Sequence, residues 1–298
     1  MGVAVLASVR SCATTTLAVA LAATWPAGRR VLLVELDPAG GTLAAVSGWE
    51  AEPGLVSLGA AARHRSDPEA IWAHCRQLPG GAAVLVAPAV AAQVRHATAT
   101  LGGLIGRLGE LDADVLVDVG RLDAATTLPA LSVGAGRVLV AVRPRLADLH
   151  ATSCFIEARR DDAPAGSLPV ALVVVGDGPY ADAEIADALG VEVLGQIPWD
   201  PEAAELLCTR PVSDRRLRLS PLVRAARSLA ETLVPKHAAP EPAVPKPMAV
   251  PAAEASGGTP SHGVGLRARL LRPRPAPLVV EAGAPVAANG STPEGGAT

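Results

Sequence analysis

The residues best placed to do chemistry lie where short apolar runs end. The run at 3–8 (VAVLAS) gives way to Val9, Arg10, Ser11, Cys12, Ala13, Thr14, Thr15 and Thr16, and then to Leu17-Ala18-Val19-Ala20-Leu21-Ala22, which reads as a helix. A strand, a tight loop and a helix N-terminus in that order form a cradle for an anion, because exposed amides and the helix dipole both favour negative charge there. The hydroxyls of Thr14 to Thr16 suit two tasks, ligation around a bound phosphate or capping of the helix's first amides. Asp37 and Asp118 stand at the ends of two further runs. Ligands of open α/β sheets bind beyond the carboxyl ends of the strands, and a carboxylate at such a place can also simply accept loop amides.

Seven short apolar runs must position these residues, at 3–8, 31–35, 83–87, 115–118, 138–142, 170–175 and 191–197. Their hydrophobicity is continuous rather than alternating, the mark of strands covered on both faces. Between them, 15–24, 91–111, 146–160, 181–189 and 201–207 carry helical spacing. The pattern predicts an α/β fold, a doubly wound and mostly parallel sheet with helices on both faces. A last helix spans 220–233, with Leu219, Leu222, Val223, Ala226, Leu229, Ala230 and Leu233 on the face that docks and Arg224 and Arg227 off it. Pro235 ends it, so the folded domain is expected at 1–235. The remainder, 236–298, is rich in proline and alanine without an aromatic residue, and reads as a disordered tail.

Composition removes several classes of chemistry. Of the 26 basic residues only Lys236 and Lys246 are lysines, and residues 1–235 contain none, which excludes there a Schiff-base amine, a lysine general base and a phosphate-loop ammonium. Aromatics are 2% of the chain, too few for a platform that stacks single-stranded nucleic acid. Trp25, Trp49, Trp72 and Trp199 read as core or loop-packing residues. The tail carries six basic and four acidic side chains, leaving 20 against 25 in the body, so no global field attracts nucleic acid. Cys12, Cys75, Cys154 and Cys208 are scattered without disulfide or zinc spacing, and the histidines show no metal pattern. The N-terminus lacks the basic start and uninterrupted apolar stretch of a signal peptide, and no stretch is long and apolar enough to span a bilayer. A cytoplasmic protein, with a peripheral place at membrane or nucleoid as the variant, is the expectation.

Five ordered segments resemble the ParA/MinD family of deviant P-loop ATPases. The loop and helix after the first run match the family's K-G-G-x-G-K-T-T followed by L-A-x-x-L-A at Thr15, Thr16 and the helix itself. Residues 31–41 (VLLVELDPAGG) look like its VLLIDxDPQGG segment, and 114–120 (DVLVDVG) look like its Walker B strand. VLVAVRP at 138–144 and VLGQIPWD at 193–200 match its later strands. The resemblance spans about residues 1–234 and implies the P-loop NTPase fold. It further implies ATP and Mg²⁺ as ligands, Thr15 and Asp118 as the metal-holding pair, and Asp37 as the residue that positions the attacking water. Relatives that assemble pili, similar to the CpaE localisation proteins, keep the fold while degrading the loop.

The departures fall on the phosphate site. Aligned on Thr15, the phosphate lysine is Thr14, the signature lysine is Val9, and the glycines are Arg10, Ser11 and Ala13. Side chains therefore stand where the backbone must take positive φ or approach phosphate closely. Arg10 is the one cation the loop itself could offer. The family's adenine-contacting Asn is Gly176 here. Two functions follow as expectations: a positioning or scaffold protein with a degenerate nucleotide site, for chromosome partitioning or placement of a pilus or secretion apparatus, and a slow ATP-binding switch using Thr15, Asp37 and Asp118. Protein partners of such a system and a homodimer are implied by the resemblance. Arg210, Arg215, Arg216, Arg218, Arg224 and Arg227 form the densest basic group and offer a DNA-binding alternative, while Arg267 to Arg274 in the tail offer a membrane-surface or partner-docking one.

Overall fold

The computed structural model describes residues 2–10, 13–62, 67–122, 136–162 and 169–234. The tail expected at 236–298, Ser11 and Cys12 lie outside the described residues. Strand β1 (Val3–Ser8) leads to α1 (Thr14–Ala23), and β2 (Val31–Glu35) to two short helices, α2 (Leu43–Val46) and α3 (Leu55–Ala62). A 3₁₀ segment (Pro68–His74) precedes the hairpin of β3 (Arg76–Gln77) and β4 (Ala83–Leu85). Helices α4 (Ala91–Thr100) and α5 (Gly102–Ile105) and a 3₁₀ turn (Leu108–Glu110) follow, then β5 (Asp114–Arg121), β6 (Arg137–Val142) and α6 (Leu146–Asp162). The described part closes with β7 (Val170–Val175), α7 (Asp182–Leu189), β8 (Val193–Ile197), α8 (Pro201–Leu207), α9 (Arg215–Leu219) and α10 (Pro221–Leu233).

The eight strands form one sheet in the order β3-β4-β2-β5-β1-β6-β7-β8, parallel except for β3. Central β1 shows why its sequence is apolar throughout: Val3, Val5 and Ala7 enter the core on one face, and Leu6 enters the core on the other. The first core packs β1, β2 and β5 against α3, α4, α6 and α7, and the second packs them against α1, α8 and α10. Helix α1 is buried almost all round, from Leu17 to Ala22, which its unbroken Leu-Ala-Val-Ala-Leu-Ala run permits. Helix α10 is amphipathic, burying Leu222, Val223, Ala226, Leu229 and Ala230.

Two sequence expectations are corrected here. The single helix at 91–111 is broken into α4, α5 and a 3₁₀ turn. Glycines at 102, 103 and 106 explain the breaks, since each costs a helix interior roughly 1 kcal/mol relative to alanine. Leu219 lies before α10 rather than on its docking face and is 60% exposed. The short elements α2, β3 and α9 escaped the periodicity, being too brief to show one, and α3 escaped it although it is as long as α7.

Chain direction makes β1 the turning point of the sheet. After β1 the connections run out to β2 and β4, return to β5, and then cross β1 to β6. Ligands bind at such a switch point, and the loop that follows β1 lies there, with the ends of β5 and β6 on either side.

Candidate nucleotide site

Ala13 begins α1 at φ 42 and ψ 30, the left-handed conformation, and is the one non-glycine residue with positive φ among the described residues. An L-side chain disfavours that region by roughly 1–2 kcal/mol, so the loop keeps a glycine's conformation without glycine. The N-cap position itself carries no hydroxyl. Ala13 is the N-cap, with no side-chain hydrogen bond, and its carbonyl accepts the Leu17 amide at 2.9 Å. Thr14 is buried, Thr15 and Thr16 are half-buried, and Arg10 is exposed.

Register brings the acidic residues to the same level. Glu35 pairs with Asp118 across β2 and β5, and Asp118 pairs with Leu6 of β1. Asp118 is fully buried; its Oδ1 accepts the Gly120 amide at 2.9 Å, while Oδ2 is left without a hydrogen-bond partner among the described residues. Burial pushes the Asp118 carboxyl up to about 6, with Glu35 and Asp37 adding to the rise and the Thr15 side chain and Gly120 amide opposing it. Asp37 is held by the Ala39 amide at 2.8 Å, and desolvation raises its pKa while Arg121 pulls it back.

Two residues here escaped sequence reasoning. Glu35 is 1% exposed and accepts three amides, Thr42 at 2.7 Å, Leu43 at 3.1 Å and Ala87 at 2.9 Å, so it ties the ends of β2 and β4 together. Its pKa is raised, first by burial, and those three amides resist the rise. A lone glutamate ending an otherwise apolar run was the available signal. Gly120, at φ 62, gives the Asp37 carboxylate the space that a β-carbon would take.

The opposite wall is apolar. Ala13, Thr16 and Leu17 share a cavity of about 50 Å³ with Val175, Ile197 and Trp199. Of the two readings of Trp199, core or loop packing, the second holds: it lies in the loop after β8, is 54% exposed, and has the Arg143 guanidinium 4.3 Å from its ring centroid. Gly176, at φ 74, turns the chain beside it, where a β-carbon would lie 3.5 Å from that of Trp199.

The donor set fits a magnesium ion better than a protein-only metal cage. Among the described residues no three His, Cys, Asp or Glu side chains cluster to hold a metal. Mg²⁺ is usually taken by one or two protein oxygens together with substrate phosphates and water. The buried Asp118 carboxylate, with the Thr15 side chain hydrogen-bonded to it, meets that requirement. The phosphate side of the site differs, since no lysine exists in 1–235. Arg210, Arg215, Arg216, Arg218, Arg224 and Arg227 lie elsewhere, exposed along 210–227, with Arg216 3.4 Å from Glu202 and Arg210 3.8 Å from Asp214.

Solved structures of ParA and MinD proteins share this fold. A ParA family ATPase from Chlorobium tepidum superposes with a TM-score of 0.65 at 16% identity, covering 78% of this chain and 99% of that one. The MinC:MinD cell division protein complex from Aquifex aeolicus gives 0.57 at 15% identity, covering 83% and 99%. The septum site-determining protein MinD complexed with Mg-ADP from Pyrococcus horikoshii gives 0.51 at 19% identity, covering 77% and 94%. No family model and no curated protein matches the sequence.

Proposed function

We propose that this chain is a ParA/MinD-like positioning protein whose site takes a nucleoside triphosphate with Mg²⁺ and turns it over slowly, as a long-lived binding switch for the placement of a partner assembly. The observation that carries the reading is the loop after β1: Ala13 holds the left-handed conformation at strain, two residues before Thr15, whose side chain hydrogen-bonds the buried Asp118 carboxylate. Strained backbone persists where the surroundings over-determine it, and such positions concentrate at ligand sites. The bound-ligand precedents are the MinD relative complexed with Mg-ADP and the MinD relative in complex with MinC. By the sequence resemblance, the assembly served is a partition, pilus or secretion system, with a second copy of the chain as a natural partner.

Each residue has a physical task in this scheme. Thr15 and Asp118 would hold Mg²⁺, which neutralises charge between the terminal phosphates. Loop amides and the start of α1 receive the phosphates. Asp37, propped on Gly120, orients water at the edge of the cradle. The missing lysine removes a stabiliser of developing charge, a loss on the order of 10²–10³ in rate for one such group. Slow turnover suits a device read out by its bound state.

A second reading rests on the lysine-free body: a scaffold that binds no nucleotide and uses only its surfaces. Isothermal titration of the full chain with ATP and Mg²⁺, beside Thr15→Ala and Asp118→Asn, separates the two. Micromolar affinity lost in both variants supports the switch; no heat up to millimolar ATP leaves the scaffold.

A further inference from the structure

We propose that the cavity between the end of α1, the start of β2 and the β3–β4 hairpin is a second binding site, and that it takes a small, largely apolar carboxylate held by Arg30. The inference is independent of the nucleotide reading: the cavity lies where the parallel strands begin, and the nucleotide site where they end.

Size and lining both suit a ligand. The cavity measures about 450 Å³, against about 50 Å³ for the one beside Ala13, and small-molecule sites run from roughly 300 to 1,000 Å³. Two of the chain's four tryptophans meet around it, Trp25 just after α1 and Trp72 from the 3₁₀ segment. Small residues leave the space between them: Ala22 and Ala23 end α1, and Gly80 and Gly81 make the turn of the hairpin. A β-carbon on Gly80 would lie 3.4 Å from the Ala23 carbonyl oxygen, so the hairpin and the helix end approach closely here.

Two arginines line the cavity, and they differ in what they have left to give. Arg29 is spent: its Nε and Nη2 donate to the Asp114 carboxylate at 2.5 and 2.6 Å. That carboxylate also accepts the Trp25 indole N–H at 2.9 Å and the Gly2 amide at 3.2 Å, so it is saturated and its charge is cancelled. Arg30 is not spent. Its guanidinium lies 4.1 Å from the Trp72 ring centroid and makes no ion pair or hydrogen bond among the described residues. Stacking on an indole occupies a guanidinium's face and leaves its N–H edge available. None of the described residues that line the cavity is acidic, so one unmatched positive charge remains beside apolar walls. A single guanidinium fork matches a single carboxylate through two parallel hydrogen bonds, whereas a phosphate dianion would keep a charge uncompensated. The alanines, Pro26 and the indoles then receive the rest of the molecule.

The test titrates the full chain with 4-phenylbutyrate, with its uncharged amide and with acetate, following tryptophan emission, to which Trp25 and Trp72 contribute from the cavity itself. Expected is saturable binding of 4-phenylbutyrate with a Kd on the order of 1 mM, ordinary for so small a probe. The amide lacks the charge and acetate lacks the apolar body, and each should bind at least about tenfold more weakly. Arg30 is exposed, so its replacement leaves the fold in place. Arg30→Ala should weaken the probe by roughly 10- to 150-fold, the range of a charge-assisted hydrogen bond, and Arg30→Lys should recover part of the loss. Arg143→Ala removes the same kind of contact from Trp199, away from the cavity, and should change nothing. The site is overturned if the amide binds as tightly as the acid, if Arg30→Ala binds like the wild type, if Arg143→Ala loses as much as Arg30→Ala, or if 4-phenylbutyrate shows no saturation up to about 20 mM.

Discussion

The Asp37 carboxylate lies where a side chain on Gly120 would be, and Gly120 in turn donates its amide to Asp118. One glycine thus sets the spacing of the two acidic residues on which the proposed switch depends. Gly120→Ala puts a methyl group onto Asp37 and an L-residue at φ 62. We expect a stability loss of roughly 2–3 kcal/mol, from left-handed strain and overpacking, read as a lower urea midpoint. Asp37→Gly combined with Gly120→Ala removes the collision and should restore part of it; a double variant no better than Gly120→Ala alone would show that the collision is not the cause.

Asp118 makes stability depend on pH in a stated direction. Its folded pKa is about 6, above the ordinary aspartate value near 4, so the folded chain binds the proton more tightly than the unfolded one. The associated stabilisation is complete below pH about 4 and is lost as pH rises through about 6, a change on the order of 3 kcal/mol. Asp118→Asn carries no such charge. Melting temperatures of the two proteins should therefore diverge between pH 4 and 7, with the wild type losing ground; parallel curves would count against the buried charge.

The strain at Ala13 is removable. Ala13→Gly relieves roughly 1–2 kcal/mol of left-handed strain, offset by glycine's extra unfolded-state freedom of about 0.4–1 kcal/mol. The expected net effect is a gain of about 0.5–1 kcal/mol in chemical denaturation. If the proposed phosphate site lies here, ATP affinity rises with it, because the α-methyl no longer crowds the loop. A variant less stable than the wild type would place Ala13 outside the left-handed region in solution.

How much of this was legible beforehand depended on the range of the signal. Strands covered on both faces announce themselves as unbroken apolar runs, so β1, β2 and β7 follow from sequence to the residue. Helix breaks at Gly102 and Gly103 were legible in principle, but the long apolar period over 91–111 overrode them. In the candidate site, Asp37, Asp118 and Thr15 were marked by position after a strand. Gly120 was not, because its meaning lies in a contact with Asp37 from another strand. For Trp199 the type alone leaves core and loop packing open, and only its exposure and its contact with Arg143 decide for the loop. Glu35 needed the amides of Thr42, Leu43 and Ala87, two of them adjacent and one 52 residues away, before its burial made sense.

Asp200 couples the loop after β8 to the last helix. Its Oδ1 caps α8 through the Ala203 amide at 3.0 Å, and its Oδ2 accepts the hydroxyl of Ser220, which itself caps α10 through Val223 at 3.4 Å. One carboxylate therefore helps to satisfy two helix starts, and Trp199 is the residue before it. Asp200→Ala removes a cap worth about 1 kcal/mol and leaves the buried Ser220 hydroxyl without its acceptor, for a total near 2 kcal/mol. Ser220→Ala alone costs about 1 kcal/mol by loss of its cap. Because the two share a hydrogen bond, the double variant should cost less than the sum, a coupling of about 0.5 kcal/mol or more in a double-mutant cycle. Asp200→Asn keeps the oxygen that caps α8 and should recover most of that part. Strict additivity across the cycle would mean that the two helix starts are held independently, and that the wall carrying Trp199 is not braced by α10.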